Sequence, residues 1–310
     1  MANSLSLNNG IWNLSSGSTA PLGFMSGFFG NGCDGDLLVS GAYTVTRETF
    51  FNNLTVQAGG AVKPNGFKIY VKNVLTINAS GSINDDGNSS TGSVGGVGLA
   101  RRNYLFTQQG QGGNGGANGA GSNGSSLFLN LGCYNNSGGT PNGGSGGRPA
   151  PATGTPGTGS PMNAPTIGMQ VWGSWAMGLP YTDAAINNTN RSIWIAGGAG
   201  GGGASSGVGS VGGGGGGGGG MVWLAASTII NNGRISVNGG DSGPATGSPN
   251  AGSGGSGGGG IIVIVTNTPS SSLGSIQSNA GSVSTTVTGT GTTGSLGKSG
   301  PICIISFGGN

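Results

Sequence analysis

The chain predicts an all-β fold with essentially no α-helix: a short-strand, β-solenoid-like body, or a sandwich, combined with packed polyglycine II helices. Three observations carry this expectation. Of 310 residues, 76 are glycine and only 5% are charged, against a usual glycine share of about 7%. Runs of strand-forming residues recur, among them Phe67-Lys68-Ile69-Tyr70-Val71, Met221-Val222-Trp223-Leu224 and Ile261-Ile262-Val263-Ile264-Val265. The glycine tracts abut these strands directly. Disordered chains have the opposite character, rich in charge and poor in β-branched runs.

Residues 1–35 are rich in Ser, Asn and Gly, with scattered apolar anchors such as Leu5, Ile11, Trp12, Phe28 and Phe29 that follow no strand pattern. They are expected to be an attachment arm. Residues 36–86 form a β-rich, solenoid-like segment. Leu37–Val39, Tyr43–Val45, Leu54–Val56, Phe67–Val71 and Val74–Ile77 are short β-rich pieces, punctuated by Gly41, Gly59-Gly60, Asn65-Gly66 and Gly81 at turn spacing. Residues 87–192 are a Gly-rich excursion with aromatic islands. Residues 193–310 alternate polyglycine tracts with strands.

A repeat runs through the chain. An apolar strand leads through a turn to a second short strand centred on Ile83, Ile235 or Ile276, and a Gly-rich excursion follows. Stacked short strands of this kind predict a solenoid, with a sandwich as the alternative.

Runs such as Gly212–Gly220 usually read as flexible linkers. A floppy tether between every pair of core strands would add a closure cost at each one. Extended geometry with three residues per turn and no internal hydrogen bonds avoids this. Such segments can lie side by side and satisfy one another's peptides, as buried backbone groups require.

Chemistry for catalysis is scarce, and no enzyme is expected. With no His, the chain lacks an imidazole base or ligand. Its seven acids are Asp34, Asp36, Glu48, Asp85, Asp86, Asp183 and Asp241; Asp34-Gly35-Asp36 and Asp85-Asp86-Gly87 sit at turn signals, where Asp bonds its own backbone. No Gly-Lys-Ser/Thr follows a glycine run, so no phosphate loop is expected. No catalytic, cofactor-binding or metal residue is assigned, and no cofactor.

Cys33, Cys133 and Cys303 have no metal-site spacing and read as buried small apolar residues, with one disulfide plus a free thiol as the lesser option. A net charge of +3, with only Arg101-Arg102 together, argues against a nucleic-acid partner. The first ten residues have neither a basic segment nor an apolar run, so synthesis in a cytoplasm without a secretory signal is expected. Apolar runs of five or six residues are too short for membrane insertion.

Aromatic residues in the excursion are the candidate receptor or partner contacts: Tyr104 and Phe106, Phe128 and Tyr134, then Trp172, Trp175 and Tyr181. Trp and Tyr on loops over a rigid scaffold are common contact residues. They serve equally well as apolar caps on a glycine bundle.

Gly110-Gln111-Gly112-Gly113-Asn114-Gly115-Gly116-Ala117 and Gly212–Gly220, alternating with variable islands, resemble the glycine-rich adhesins at the tail-fibre tips of T-even-type phages. The likeness is compositional and covers roughly residues 87–260; residues 1–86 do not match that family's fibre-attachment region. It implies packed polyglycine II helices displaying loops that bind host surface proteins or glycans, on a virion surface. A receptor-binding adhesin or fibre-tip protein is the first expectation, joined to other virion proteins through the N-terminal arm. A capsid decoration or head-fibre protein is the alternative. An extracellular glycine-rich structural or ice-binding protein follows, and an enzymatic tailspike comes last.

Overall fold

The computed structural model describes residues 28–98, 110–124, 146–147, 155, 199–206 and 208–307, with the strand backbones Ser4–Asn8 (β1) and Ile11–Ser15 (β2). Among these residues there is no α-helix, only a 3-10 turn at Ser270–Ser272, and the expected all-β character holds. Strands collect into two parallel sheets, and the chain passes back and forth between them.

The first sheet takes β3 (Leu37–Val39), β5 (Thr49–Phe51), β6 (Leu54–Val56), β8 (Lys68–Ile77), β11 (Met221–Asn231), β14 (Ile261–Thr266) and β16 (Ile302–Ser306). The second takes β4 (Ala42–Thr44), β7 (Ala61–Lys63), β9 (Ser82–Asn84), β12 (Arg234–Ser236) and β15 (Ser275–Gln277). A two-residue pair, β10 (Ser205–Ser206) with β13 (Asn250–Ala251), lies apart from both sheets.

Register explains the hydrophobic spacing. Leu37 pairs with Leu54 and Leu54 with Leu75, and Val222 pairs with Ile262, which pairs with Ile302. Between these groups β8 meets β11, with Leu75 opposite Ile229. The sequence distance between neighbouring strands therefore jumps where residues 85–220 intervene. No regular solenoid repeat is seen, and neither sheet closes or curls.

Facing side chains of the two sheets form the main core. Val39, Val56, Ile69, Leu75, Ile77, Leu224 and Ile264 of the first sheet pack with Val62, Ile83 and Ile235 of the second. Side chains alternate along a strand, so Met221, Trp223 and Ala225 point the other way, into a second cluster with Phe29, Val263 and Cys303. Every residue of β14 is buried. That is why β11 and β14 begin as unbroken apolar runs rather than alternating ones: a parallel strand covered on both faces has no polar side.

Two expectations need correcting. The first 35 residues do contain strands: β1 and β2 form an antiparallel hairpin, and β2 continues the first sheet by pairing Ile11 with Ile302 and Trp12 with Cys303. Residues 68–71 and 74–77 belong to one ten-residue strand, β8, with Phe67 just before it, since β5 and β6 pair end to end along it.

Candidate functional site

Between the strands, the glycine tracts run as extended rows joined by backbone hydrogen bonds. Residues 212–220, all buried, form the central row. Gly212, Gly215 and Gly218 donate to Gly116, Gly113 and Gly110. Gly213, Gly216 and Gly219 donate to Gly252, Gly255 and Gly258. Gly214, Gly217 and Gly220 donate to Gly92, Asn88 and Asp85. Successive N–H groups thus turn to three neighbouring rows with a period of three. Other rows donate back, from Gly200 and Gly203, from Gly240 and Gly243, and from Gly96. Backbone approaches this close leave no room for side chains. A Cβ on Gly215 would fall on the carbonyl of Gly200, and one on Gly216 on the carbonyl of Gly240.

The number of glycines per three residues follows how enclosed a row is. Row 212–220 is glycine throughout. In Gln111-Gly112-Gly113-Asn114-Gly115-Gly116-Ala117, every third residue carries a side chain, and Gln111, Asn114 and Ala117 are exposed. In Gly291-Thr292-Thr293-Gly294-Ser295-Leu296-Gly297-Lys298-Ser299-Gly300, only the glycines face inward. Ser253 and Ser256 of the row beneath, themselves three apart, accept from the N–H groups of Gly294 and Gly297 at 3.0 and 2.9 Å.

Acidic and amide side chains tie the steps together. Asp86 Oδ1 accepts from Asn238 N–H at 2.7 Å, and Asn238 Oδ1 accepts from Asn279 N–H at 2.8 Å. Asp241 Oδ1 accepts from Ser282 N–H at 2.6 Å. Asp85, buried where row meets strand, accepts from Gly220 N–H through its backbone carbonyl and from Met221 N–H through Oδ2.

At the start of the body, Asp36 accepts from Asn52, Asn53 and the Asn53 backbone. Asp34 pairs with Arg47 and accepts from Phe50 N–H. The Arg47 guanidinium, then that N–H, hold the Asp34 carboxyl below the usual carboxylate range; the Asn52 and Asn53 amides do the same for Asp36. Expected as turn residues bonding their own backbone, these acids instead bond the neighbouring strand or row. Aligning the steps against one another was the signal that could have revealed this, since Asp or Asn recurs at matching positions.

Asp86, Ser89, Asn238, Asp241, Asn279 and Ser282, among others, line an open polar cleft of about 350 Å³ on the flank of the rows. The carboxylates there already hold backbone N–H groups, so the cleft offers hydrogen-bonding edges rather than a free acid and base. Among the described residues no group of three or more His, Cys, Asp or Glu is placed to hold a metal. No described helix is long and apolar enough to cross a membrane.

On the outer face of the first sheet, Phe50 stacks on Tyr70 at 4.9 Å, Tyr70 meets Trp223 at 4.9 Å, and Lys68 Nζ lies 5.3 Å from the Trp223 ring. Burial lowers the Lys68 pKa and raises that of Tyr70. This aromatic stack was not anticipated as a unit, because its members are distant in sequence. Cys303 is buried as expected, its thiol pushed up to about 12 by desolvation, whereas Cys33 is exposed, contrary to expectation. Cys33 sits on the segment leading into β3.

Tyr104, Phe106, Phe128, Tyr134, Trp172, Trp175, Tyr181 and Cys133 lie outside the described residues. The points where their segments leave the rows are described. Val97 O accepts from Asn88 Nδ2, and Gly110 O accepts from Gly218 N–H, at the two ends of the first segment. Gly124 lies against Ala199 and Gly200. Thr155 O accepts from Gly121 N–H. Gly147 N–H donates to Ser253 O and Gly200 N–H to Gly216 O where the second and third segments rejoin, so the described residues flanking each candidate segment lie on or against hydrogen-bonded rows. No family model, curated protein or solved structure matches the chain.

Proposed function

We propose that this chain is a non-enzymatic bacteriophage virion protein, a receptor-binding adhesin or fibre tip, whose rows are a polyglycine II lattice holding variable loops. The observation that carries the reading is the three-residue period of donors along Gly212–Gly220, each set bonding a different row. Polyglycine in a threefold extended helix directs its N–H groups in this way, because one turn takes three residues. A scaffold cross-linked through backbone at every residue is stiff, and it frees the sequence of the intervening segments to vary. Stiff anchoring lowers the ordering cost of a contact loop when it binds.

Sparse charge and the structural use of Asp34, Asp36, Asp85, Asp86 and Asp241 also favour a structural role over catalysis. The attachment role of residues 1–35 and the virion-surface location are part of the same proposal.

The test is adsorption of the purified chain to cells of the phage host, with Trp172→Ala and Trp175→Ala as variants. A contact site loses cell binding while its melting temperature holds. Caps lose stability instead, by roughly 3–5 kcal/mol for a buried Trp. Normal binding and normal stability in both variants would remove these residues from the site. Gold labelling of intact particles distinguishes the fibre tip from the capsid surface assigned by the decoration alternative.

A further inference from the structure

The polar cleft on the flank of the rows is built as a grid. Asp86, Asn238 and Asn279 follow β9, β12 and β15 at one position of three successive steps. Asp86 accepts from Asn238 N–H, and Asn238 from Asn279 N–H. Ser89, Asp241 and Ser282 lie three residues further along the same rows, with Asp241 accepting from the Ser89 hydroxyl and from Ser282 N–H. Backbone register agrees, since Gly87 N–H donates to Asn238 O and Ser90 N–H to Asp241 O. Three residues of a threefold extended helix rise about 9 Å, and neighbouring strands stand about 4.8 Å apart. The cleft therefore has two polar columns one helical turn apart, each three steps tall.

Between the columns the floor is backbone. A Cβ on Gly87, Gly239 or Gly281 would fall on the carbonyls of Gly217, Gly257 and Gly240 in other rows. Asn88, also between the columns, gives its amide to Val97 O, and Ala280 adds only a methyl group to the lining. The resulting space of about 350 Å³ falls in the size range of small-ligand sites, about 300–1,000 Å³.

The walls restrict what can fill it. An apolar ligand would strip water from polar groups without replacing their hydrogen bonds. Asp86 is paired with Arg234 at 3.3 Å, whereas exposed Asp241 has no ion-pair partner among the described residues, so its charge repels anions. The Asn279 amide and the Ser282 hydroxyl, both exposed, have no hydrogen-bond partner among the described residues. A carboxylate only accepts, an amide donates and accepts, and a hydroxyl does either. Neighbouring hydroxyls of an uncharged sugar, each a donor and an acceptor, match that set.

We propose that this cleft is a binding site for a neutral sugar, held by Asp241, Asn279 and Ser282. The source of that sugar, a host surface glycan, rests on the adhesin reading, but the site uses the rows and not the aromatic candidates. The ladders already hold Asp241 and the backbones of Asn279 and Ser282 in place, which lowers the ordering cost of binding.

NMR titration of the full chain tests this, with glucose, galactose and mannose as probes and the uronate of each as its anionic counterpart. At least one hexose should bind, at about millimolar affinity, as a few hydrogen bonds without apolar burial allow. Its uronate should bind at least about fivefold more weakly. Asn279→Ala and Ser282→Ala remove side chains that brace nothing else. Each should weaken binding about threefold to tenfold while the melting temperature holds. Asp241→Asn keeps an acceptor for Ser282 N–H and should weaken binding about tenfold, because an ionised acceptor makes the stronger bond. No binding of any of the three hexoses overturns the proposal. So does full-strength binding by the Asn279→Ala, Ser282→Ala double variant, or a uronate bound as tightly as its hexose. Adsorption to host cells is a separate readout. Adsorption without hexose binding removes the cleft alone, and hexose binding without adsorption removes the adhesin reading and leaves the cleft standing.

Discussion

Replacing Gly216 by alanine should cost more than most core truncations, although it adds a single methyl group. That methyl would meet the carbonyl of Gly240 and the nitrogen of Gly257, both backbone atoms in neighbouring rows. No flexible side chain is present to give way, so the rows must separate. The bonds at risk are Gly216 N–H to Gly255 (3.0 Å), Gly200 N–H to Gly216 (2.8 Å) and Gly257 N–H to Gly240 (2.9 Å). Each is worth about 1 kcal/mol net, and a buried orphaned partner adds about 1–3 kcal/mol. Losing three bonds with one orphan gives a cost of about 4–6 kcal/mol, a large share of a typical domain stability of about 5–15 kcal/mol.

The control is Gly119→Ala, whose Cβ would meet nothing within 4 Å. It should be neutral or stabilising by about 0.4–1 kcal/mol, through reduced freedom of the unfolded chain. Urea denaturation followed by circular dichroism measures both, with amide exchange along residues 212–220 as the local readout. If Gly216→Ala is as stable as Gly119→Ala, or if those amides exchange at the rate of free peptide, the close-packed rows do not exist in solution.

The lowered pKa values of Asp34 and Asp36 set an acid limb. Groups with depressed folded pKa values contribute stability above their unfolded value near 4 and lose it as pH falls through the folded pKa. Stability should therefore decline below about pH 4, and Asp34→Asn should flatten that limb; an unchanged slope would count against the pairing with Arg47 and Phe50. Removing residues 1–15 should uncover the outer edge of β16. Faster amide exchange at Ile302–Ser306 and concentration-dependent aggregation are expected, as for any bare edge, whereas undisturbed protection there would show that the hairpin is not seated on β16.

Much of this architecture is local in origin and so legible in the sequence. β-branched runs such as Ile261–Val265 specify strands by themselves, and the glycine share excludes long helices by propensity alone. The spacing of side chains within a glycine row also reads out its burial, because any Cβ on an enclosed face collides with backbone. Gln111, Asn114 and Ala117 mark an open face in this way, and Gly212–Gly220 has none.

Partner choice was beyond the sequence. Nine consecutive glycines carry no side chain to tell one neighbouring row from another, so the lengths of the excursions and the strands they join decide which rows meet. The same holds for the acids: Asp86 looks like a turn residue until folding brings Asn238 N–H to it from 152 positions away. It holds also for the hairpin, whose strands find their partner at the opposite end of the chain because β16 alone left an edge of the first sheet open there. Hydrogen-bond donors and acceptors are the same at every residue, and only the tertiary structure determines which of them meet.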